Sequence, residues 1–571
     1  MKLKLYDMDK VTDLKDMLQN SLEKYSDRTL FLVKDYHNQP YRPITYKQYG
    51  SDVHALGTAL VARGYKDKRI AVLGENCYGW TVGYMATATG VGIIVPIDKE
   101  LPGDEIVNMI ARAEVSAVIF SDKYFDKIKG ISDRCPTVSL FVCMGSKTDE
   151  AFNTVSLETL IAEGNKLLAE GNMDYMNAKI DPYEMSILLF TSGTTSDAKA
   201  VMLSQHNIVT NIMAMGSMVE VRGGTCLSIL PLHHTYECTC GFLYSVYGGC
   251  TVAFCEGLRY VQQNMCEAKV TYVLTVPLLV ETMYNKIWAN IDKTPGLRKK
   301  VETIIKVNNA ARKVGIDMSR KLFKQIHSAF GGELELFVVG AAPMNPEVSK
   351  GLYDLGIRVR QGYGLTECAP IIALGADTYY KDEAVGYPMP GVQIEIFNPD
   401  ENGSGEIIAK GENVMLGYYN NQEATDSVII DGWFHTGDVG YKDKDGFVYI
   451  TGRCKNMILT KNGKNVYPEE IEPMILELDT VKECVVFEEK LDDGDARIAC
   501  MVYPDVDVIK SKYSIEGEPT KEQMEKIIFD EIKENVNGKL VSYKAIRNVI
   551  VRETEFVKTT TLKIKRHMIN Q

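Results

Sequence analysis

The sequence predicts an α/β protein with a large amino-terminal domain and a small α+β carboxy-terminal one, and three observations predict it. From residue 44 onward, short apolar runs of the kind that make buried strands alternate with amphipathic stretches of helical period. After residue 386 the texture changes to short β-type runs separated by Gly and Asn turns. Beyond Gly452 strands and helices mix again in a stretch short enough to be a separate unit.

In order along the chain, residues 46–63 have amphipathic helical spacing, 70–73 suit a buried strand, 79–90 read as helix, and 91–97 and 116–120 as strands. Strands alternating with helices in this way build a parallel sheet. The rhythm returns at 226–230, 250–253, Tyr272–Thr275, 334–339 and 358–362, so the large domain is expected to hold two α/β sheet subdomains. The polar, helical segment 295–330 reads as an insertion outside the sheet. Runs at 392–396 and 406–409 mark a β-rich subdomain, about 386–452. In the last unit, strands at 481–488, 497–503 and Asn548–Val551 alternate with helices at 469–477 and Lys521–Asn535. The expected division is 1–452 and 453–571, the second domain being small and mobile by the resemblance given below.

The 571 residues are 45% hydrophobic and 25% charged, the balance of a chain that buries a core. With 64 Lys and Arg against 76 Asp and Glu, the net charge of −12 repels phosphate backbones and argues against nucleic acid as a partner. Thirteen cysteines without a C-x-x-C pair read as free thiols in a reducing cytosol. Acidic residues interrupt the start of the chain where a signal peptide needs an apolar core, and Pro277 breaks the apolar run 272–280. The expectation is a cytoplasmic protein with no transmembrane segment; peripheral membrane contact and a homodimer stay open.

The stretch 187–207 runs an apolar strand into Thr191, Ser192, Gly193, Thr194, Thr195 and Ser196, then Lys199, before a helical run resumes. Hydroxyls and freely placed backbone amides on a tight turn are donors for anionic oxygens, and Lys199 adds a charge. The segment therefore reads as a phosphate loop, without the G-x-x-x-x-G-K-[ST] spacing of the common P-loop. Taken alone, a polar surface loop would have the same composition.

Residues 191–200 resemble the T-S-G-T-T-G-x-P-K-G signature of the acyl-adenylate-forming enzymes, which include acyl-CoA synthetases, peptide-synthetase adenylation domains and luciferases. Further motifs follow in order. Gly340-Ala341-Ala342-Pro343 is similar to G-[GA]-A-P, and Gln361-Gly362-Tyr363-Gly364-Leu365-Thr366-Glu367 to [QN]-x-Y-G-x-T-E. Gly432-Trp433-Phe434-His435-Thr436-Gly437-Asp438 resembles G-W-[FL]-x-T-G-D, and Gly452-Arg453-Cys454-Lys455 resembles G-R-x-[KD]. Gly463, Val466, Pro468 and Glu472 fit G-x-x-[VI]-x-P-x-x-[IV]-E, and residues 558–566 resemble the closing P-K-T-x-x-G-K-x-x-R. The similarity runs from about residue 44 to the end.

The resemblance implies ATP, Mg²⁺ and CoA as substrates and cofactors, with no tightly bound prosthetic group. It implies that the loop from Thr191 to Lys199 holds the β- and γ-phosphates, that Glu367 ligates Mg²⁺ and that Thr366 touches the α-phosphate. Tyr363 would stack on adenine, whose edge meets Gly340–Ala342, while Asp438 accepts from the ribose hydroxyls and Arg453 reaches ribose or phosphate. Lys563 would enter the active site during adenylation, Lys455 would be the hinge that carries it in and out, and Gly463 would line the pantetheine tunnel.

Several positions depart from the pattern. Ser196, Ala198 and Ala200 replace Gly, Pro and Gly of the phosphate loop, Val557 and Leu562 replace Pro and Gly of the closing motif, and Gln205 stands where many relatives have histidine. Losing glycines stiffens a loop that could need left-handed backbone, which puts ATP affinity in question. Residues 230–237, LPLHHTYE, resemble the L-P-L-x-H-x-x-E segment of long-chain fatty acyl-CoA synthetases, which would set His234 between acyl pocket and thioester site. The function implied is ATP-dependent activation of a fatty acid to acyl-AMP, then transfer to CoA. The alternatives are delivery to a carrier-protein phosphopantetheine, an aryl acid as substrate, and a nucleotide-binding pseudoenzyme.

Overall fold

A computed structural model of the chain describes residues 3–191, 198–460, 464–490, 496–558 and 564–569. It divides into two compact units, Met1–Ile394 with Ala409–Phe434, and Glu395–Ile408 with His435–Gln571.

The first unit is built on two sheets. One has eight strands in the order Gly417–Tyr418, Ala200–Ser204, Met185–Phe190, Gly92–Ile97, Lys68–Leu73, Ala117–Phe120, Leu140–Cys143 and Thr154–Ser156. It is parallel from Met185–Phe190 outward and antiparallel at the other edge. The second has nine strands, with a parallel centre of Arg358–Gly364, Leu336–Val339, Tyr272–Thr275, Thr225–Ser228, Thr251–Phe254 and Thr29–Val33. The apolar runs form strands because both faces are covered: Ala71, Leu73, Val95, Val118 and Phe120 are buried on one face of the first sheet and Ile70, Val72, Ile94 and Ile119 on the other, and in the second sheet Leu227, Val273, Phe337 and Val359 alternate with buried Cys226, Tyr272 and Leu336.

The predicted strands lie within two residues of the observed ones, and the helix expected at 79–90 is Tyr78–Ala86 followed by a wider turn, Thr87–Val91. The segment 295–330 lies outside the sheet as expected, adding no strand to it, but it packs against the sheet instead of standing apart. Its helices Leu297–Arg312, Ser319–Leu322 and Lys324–Ser328 send Val301 and Phe323 into the same core as Val280 and Phe337, because the sheet's face must be covered. The opening helix Leu14–Tyr25, capped by Asp13, and the strands Thr29–Val33 and Arg42–Thr45 were not anticipated from the pattern.

In the second unit, the strands Trp433–Lys442 and Val448–Arg453 pair antiparallel with Asp438 opposite Arg453. A three-stranded sheet follows, Val481–Lys490 beside Ala496–Pro504 antiparallel, and Asn548–Val551 parallel to the latter. The helices Pro468–Leu476 and Lys521–Asn535 cover it, and Ile471, Val486, Cys500, Ile528 and Val549 form its core.

Candidate active site

The parallel strands of the second sheet end together, and open α/β sheets bind ligands beyond such carboxyl ends. Leu336–Val339 ends in Gly340, whose amide donates to the Thr275 carbonyl at 3.2 Å. Ala341 follows at φ +73°, left-handed backbone that an alanine adopts only against strain, and Ala341 and Ala342 are exposed. Tyr236 lies beneath, its hydroxyl donating to the Val338 carbonyl at 2.9 Å.

Arg358–Gly364 carries the next motif. The Gln361 side chain donates to the Asp382 carbonyl at 2.5 Å, and Tyr363 is 7% exposed beside an open Gly364. Gly364 must be glycine, since a Cβ there would lie 1.9 Å from the Pro370 carbonyl oxygen. Thr366–Cys368 forms a single tight turn. Two buried amides clamp it: Asn211 Nδ2 and Asn413 Nδ2 both donate to the Cys368 and Ile371 carbonyls, at 3.3 and 2.7 Å and at 2.8 and 3.1 Å. The Met415 amide donates to the Glu367 carbonyl at 2.8 Å.

The predicted phosphate loop joins Met185–Phe190 to Ala200–Ser204. Ser192, Gly193, Thr194, Thr195 and Ser196 lie outside the described residues. At its base the Thr191 amide donates to the Lys199 carbonyl at 2.9 Å, and the Lys199 amide to Thr191 Oγ1 at 3.2 Å. Arg112 holds one leg, donating to the Ala198 carbonyl at 2.8 Å. Ala200 is a buried strand residue opposite Phe190, so the glycine usual there is not required for left-handed backbone at that position. Gln205 is a structural residue: its amide accepts from the Leu14 amide at 2.8 Å and donates to the Ala88 carbonyl at 2.6 Å.

Tyr418 connects these parts. The Lys199 ammonium lies 4.6 Å from the centre of its ring, and its hydroxyl donates to Glu367 Oε1 at 2.9 Å. Burial first, then the adjoining Glu367 carboxylate, push the phenol far above its ordinary range, so it stays a donor.

His234 follows the strand Thr225–Ser228, its ring 4.2 Å from that of His233. His233 Nε2 lies 3.5 Å from Asp98 Oδ2. Burial would raise the Asp98 carboxyl, but His233, the Glu100 amide and the nearby His234 together outweigh it and hold the group well below the usual range. Asn76 braces the segment, donating to Ser228 Oγ at 2.8 Å and the Leu230 carbonyl at 2.7 Å and accepting from the Leu232 amide at 3.1 Å.

Glu237 is 1% exposed, and burial pushes its carboxyl up to about 8 although Ser228 Oγ donates to it at 2.6 Å. A carboxyl raised in the folded state contributes stability that is full below its ordinary value of 4.5 and lost as pH rises toward about 8. Denaturant midpoints at pH 5, 7 and 9 should therefore fall more for the natural protein than for Glu237→Gln. Parallel pH profiles would remove the assignment.

In the second unit taken by itself, Asp438 is 4% exposed and pairs with Arg453 Nε at 3.0 Å, while its amide donates to Thr436 Oγ1 at 3.1 Å. Lys455 is exposed in the turn Cys454–Asn456, and Asn456 Nδ2 donates to Glu469 Oε1 at 2.5 Å. Gly463 and Lys563 lie outside the described residues. The two legs flanking residues 559–563 are joined: the Lys565 amide donates to the Val557 carbonyl at 2.8 Å, and Lys558 pairs in register with Ile564. Lys558 forms ion pairs with Glu483 and Glu555, and Arg566 with Glu472.

The family model for AMP-binding enzymes matches residues 18–419. The chain belongs to the AMP-binding enzyme family. It is an AMP-forming acid–thiol ligase of the acyl-CoA ligase kind. Long-chain-fatty-acid–CoA ligase 5 of Rattus norvegicus is 28% identical over 93% of this chain and 83% of its own. The chloroplastic long-chain-fatty-acid–acyl-carrier-protein ligase AEE15 of Arabidopsis thaliana is 25% identical over 97% and 84%. The anthranilate CoA ligase AuaEII, solved with anthranoyl-AMP, shares the fold at a TM-score of 0.75 and 17% identity, over 100% of this chain and 97% of its own.

Sequence reasoning missed the residues that hold the AMP-binding motifs in place, Tyr418, Asn211, Asn413 and Arg112, and Asp98, which faces His233. None belongs to a recognised motif, and each acts through a contact distant in sequence. Tyr418→Phe keeps the ring beneath Lys199 and removes only the donor to Glu367. Acyl-AMP formation should slow by about tenfold, as for loss of one hydrogen bond to a charged group, with little change in melting temperature. An unchanged rate in a pyrophosphate-release assay would show that Tyr418 does not position Glu367.

Proposed function

We propose that this enzyme activates a long-chain fatty acid with ATP and Mg²⁺ to acyl-AMP and pyrophosphate, then transfers the acyl group to CoA. The observation that carries this reading is the array of Lys199, Tyr418 and Glu367 beside the carboxyl ends that hold Gly340–Ala342 and Tyr363–Thr366. The likeness to ligases named for long-chain fatty acids supports the substrate class.

Lys199 and the loop 191–196 would bind the outer phosphates, and Thr366 would touch the α-phosphate. A part-buried carboxylate with one oxygen fixed by a phenol suits Mg²⁺, which takes one or two protein carboxylates and otherwise phosphate and water. Among the described residues no cluster of three or more potential metal ligands occurs, so Glu367 would share the ion with the nucleotide. Tyr363 and the 340–342 backbone would receive adenine, Asp438 the ribose hydroxyls, and Arg453 the ribose or phosphate. His234 would stand between acyl pocket and thioester site. Thirteen free thiols fit a cytoplasmic setting, and among the described residues no helix is long and apolar enough to cross a membrane.

We place the working domains at 1–452 and 453–571, with Lys455 as hinge, Gly463 in the pantetheine tunnel and Lys563 as the adenylation lysine. Lys455→Pro fixes φ near about −65° and should trap one geometry, so that adenylation and thioester formation are affected very unequally. Comparable retention of both half-reactions would rule the hinge out.

The relative that serves an acyl-carrier protein favours a second reading, delivery to a carrier's phosphopantetheine. A panel of carboxylic acids scored by pyrophosphate release, with CoA or with loaded carrier protein, tests both. Release with long-chain acids and thioester on CoA is the expected result. Thioester on the carrier alone would establish the second reading, and release only with aryl acids would overturn the substrate class.

A further inference from the structure

At the amino edge of the second sheet, opposite the candidate site, lies a cleft of about 720 Å³ between the strand Arg358–Gly364 and the helical segment 312–321. Ligand sites of small organic molecules fall in this size range. Five cations line it, Arg312, Arg320, Lys321, Arg358 and Arg360, against three acids, Asp317, Glu335 and Asp377. That excess is unusual in a chain of net charge −12.

Three of the cations are compensated. Arg312 Nε lies 3.1 Å from Asp317 Oδ2, Arg320 Nη1 3.0 Å from Glu335 Oε1, and Arg358 Nη1 2.6 Å from Asp377 Oδ1. Lys321 makes no ion pair among the described residues, nor does Arg360, which is 3% exposed. The Arg360 guanidinium lies 3.6 Å from the centre of the Tyr380 ring, whose hydroxyl it also engages, and donates to the Val359 and Asp377 carbonyls at 2.7 and 3.2 Å. Its Nε is buried without a partner. A buried guanidinium without a counter-ion is costly, and an anion in the cleft would supply one.

We infer that this cleft binds a small, multiply charged anion of the phosphate-ester class. Arg360 and Lys321 provide the uncompensated charge, and Tyr353, Tyr380 and Met318 an apolar wall for the ester's organic part. Such an ester can be soluble or can be the headgroup of an anionic lipid. The second source enters the test because Val314 is 75% exposed on the turn before Met318.

The full chain is titrated with inositol hexakisphosphate by calorimetry and, in parallel, floated with phosphatidylcholine vesicles containing phosphatidylinositol 4-phosphate, whose headgroup carries a phosphomonoester. Binding is expected in at least one arm and should weaken by about tenfold or more in the double variant Arg320→Gln, Lys321→Gln. Lys321 is exposed and Arg320 is part-exposed, donating to the Gly332 carbonyl at 2.7 Å, so an unchanged melting temperature of the double variant is the check that the fold is kept; Arg360→Met should weaken binding similarly if it folds. Binding by calorimetry alone assigns a soluble ester, and by flotation a lipid headgroup. Absence of binding in both arms, or binding that the double variant leaves within about twofold, overturns the site.

Discussion

Lys563→Ala is expected to slow acyl-AMP formation by roughly 10²–10³-fold or more, while supplied acyl-AMP and CoA are converted at nearly the natural rate. The ammonium would act only while pyrophosphate departs, when negative charge must be neutralised, so its loss should appear in one half-reaction. Two cations close to it in sequence are already engaged, Lys558 with Glu483 and Glu555, and Arg566 with Glu472. Neither is free to take over. Burial pushes the Glu472 carboxyl up and the Arg566 guanidinium counters it, so this pair is also held together electrostatically. Single-turnover measurement of each half-reaction decides the matter, and an equal loss in both would sink the role.

Glu367→Gln should cost about 10²-fold in adenylation and raise the Mg²⁺ concentration needed for half-maximal rate. The amide oxygen of glutamine can still accept from the Tyr418 hydroxyl, and the backbone bond from Met415 is unaffected, so the turn keeps its shape. What is lost is the charge that would hold the cation. Acyl transfer from supplied acyl-AMP, which releases no pyrophosphate, should change little. A full adenylation rate with an unshifted Mg²⁺ dependence would show that Glu367 is not the ligand.

The strands were legible because doubly covered parallel strands are continuous apolar runs bounded by turns, as at 70–73 and Tyr272–Thr275. The strand Arg42–Thr45 was not, since it shows no comparable apolar run and lies at the sheet edge beside Thr29–Val33. The motif residues could be located because their chemistry is concentrated in short segments. Their supports could not: Asn211 and Asn413 reach the same two carbonyls from positions far apart in the chain. Gln205, which departs from the family pattern, ties the start of the opening helix to the helix it begins, and the three-dimensional contact alone shows this.

The path of the backbone constrains any swivelling. The chain crosses between the two compact units at 394–395, 408–409 and 434–435. A body tethered at three points cannot turn freely about one residue, as a lid can on a single pin. A body beginning at residue 453 has one tether, and its core of Ile471, Val486, Ile528 and Val549 lies wholly beyond that point. If Lys455 is the pin, the strands Trp433–Lys442 and Val448–Arg453 must stay behind when the rest turns. The tight fit of Gly452 against Tyr467, where a Cβ would lie 2.6 Å from the tyrosine Cβ, would then be a latch that opens with each cycle.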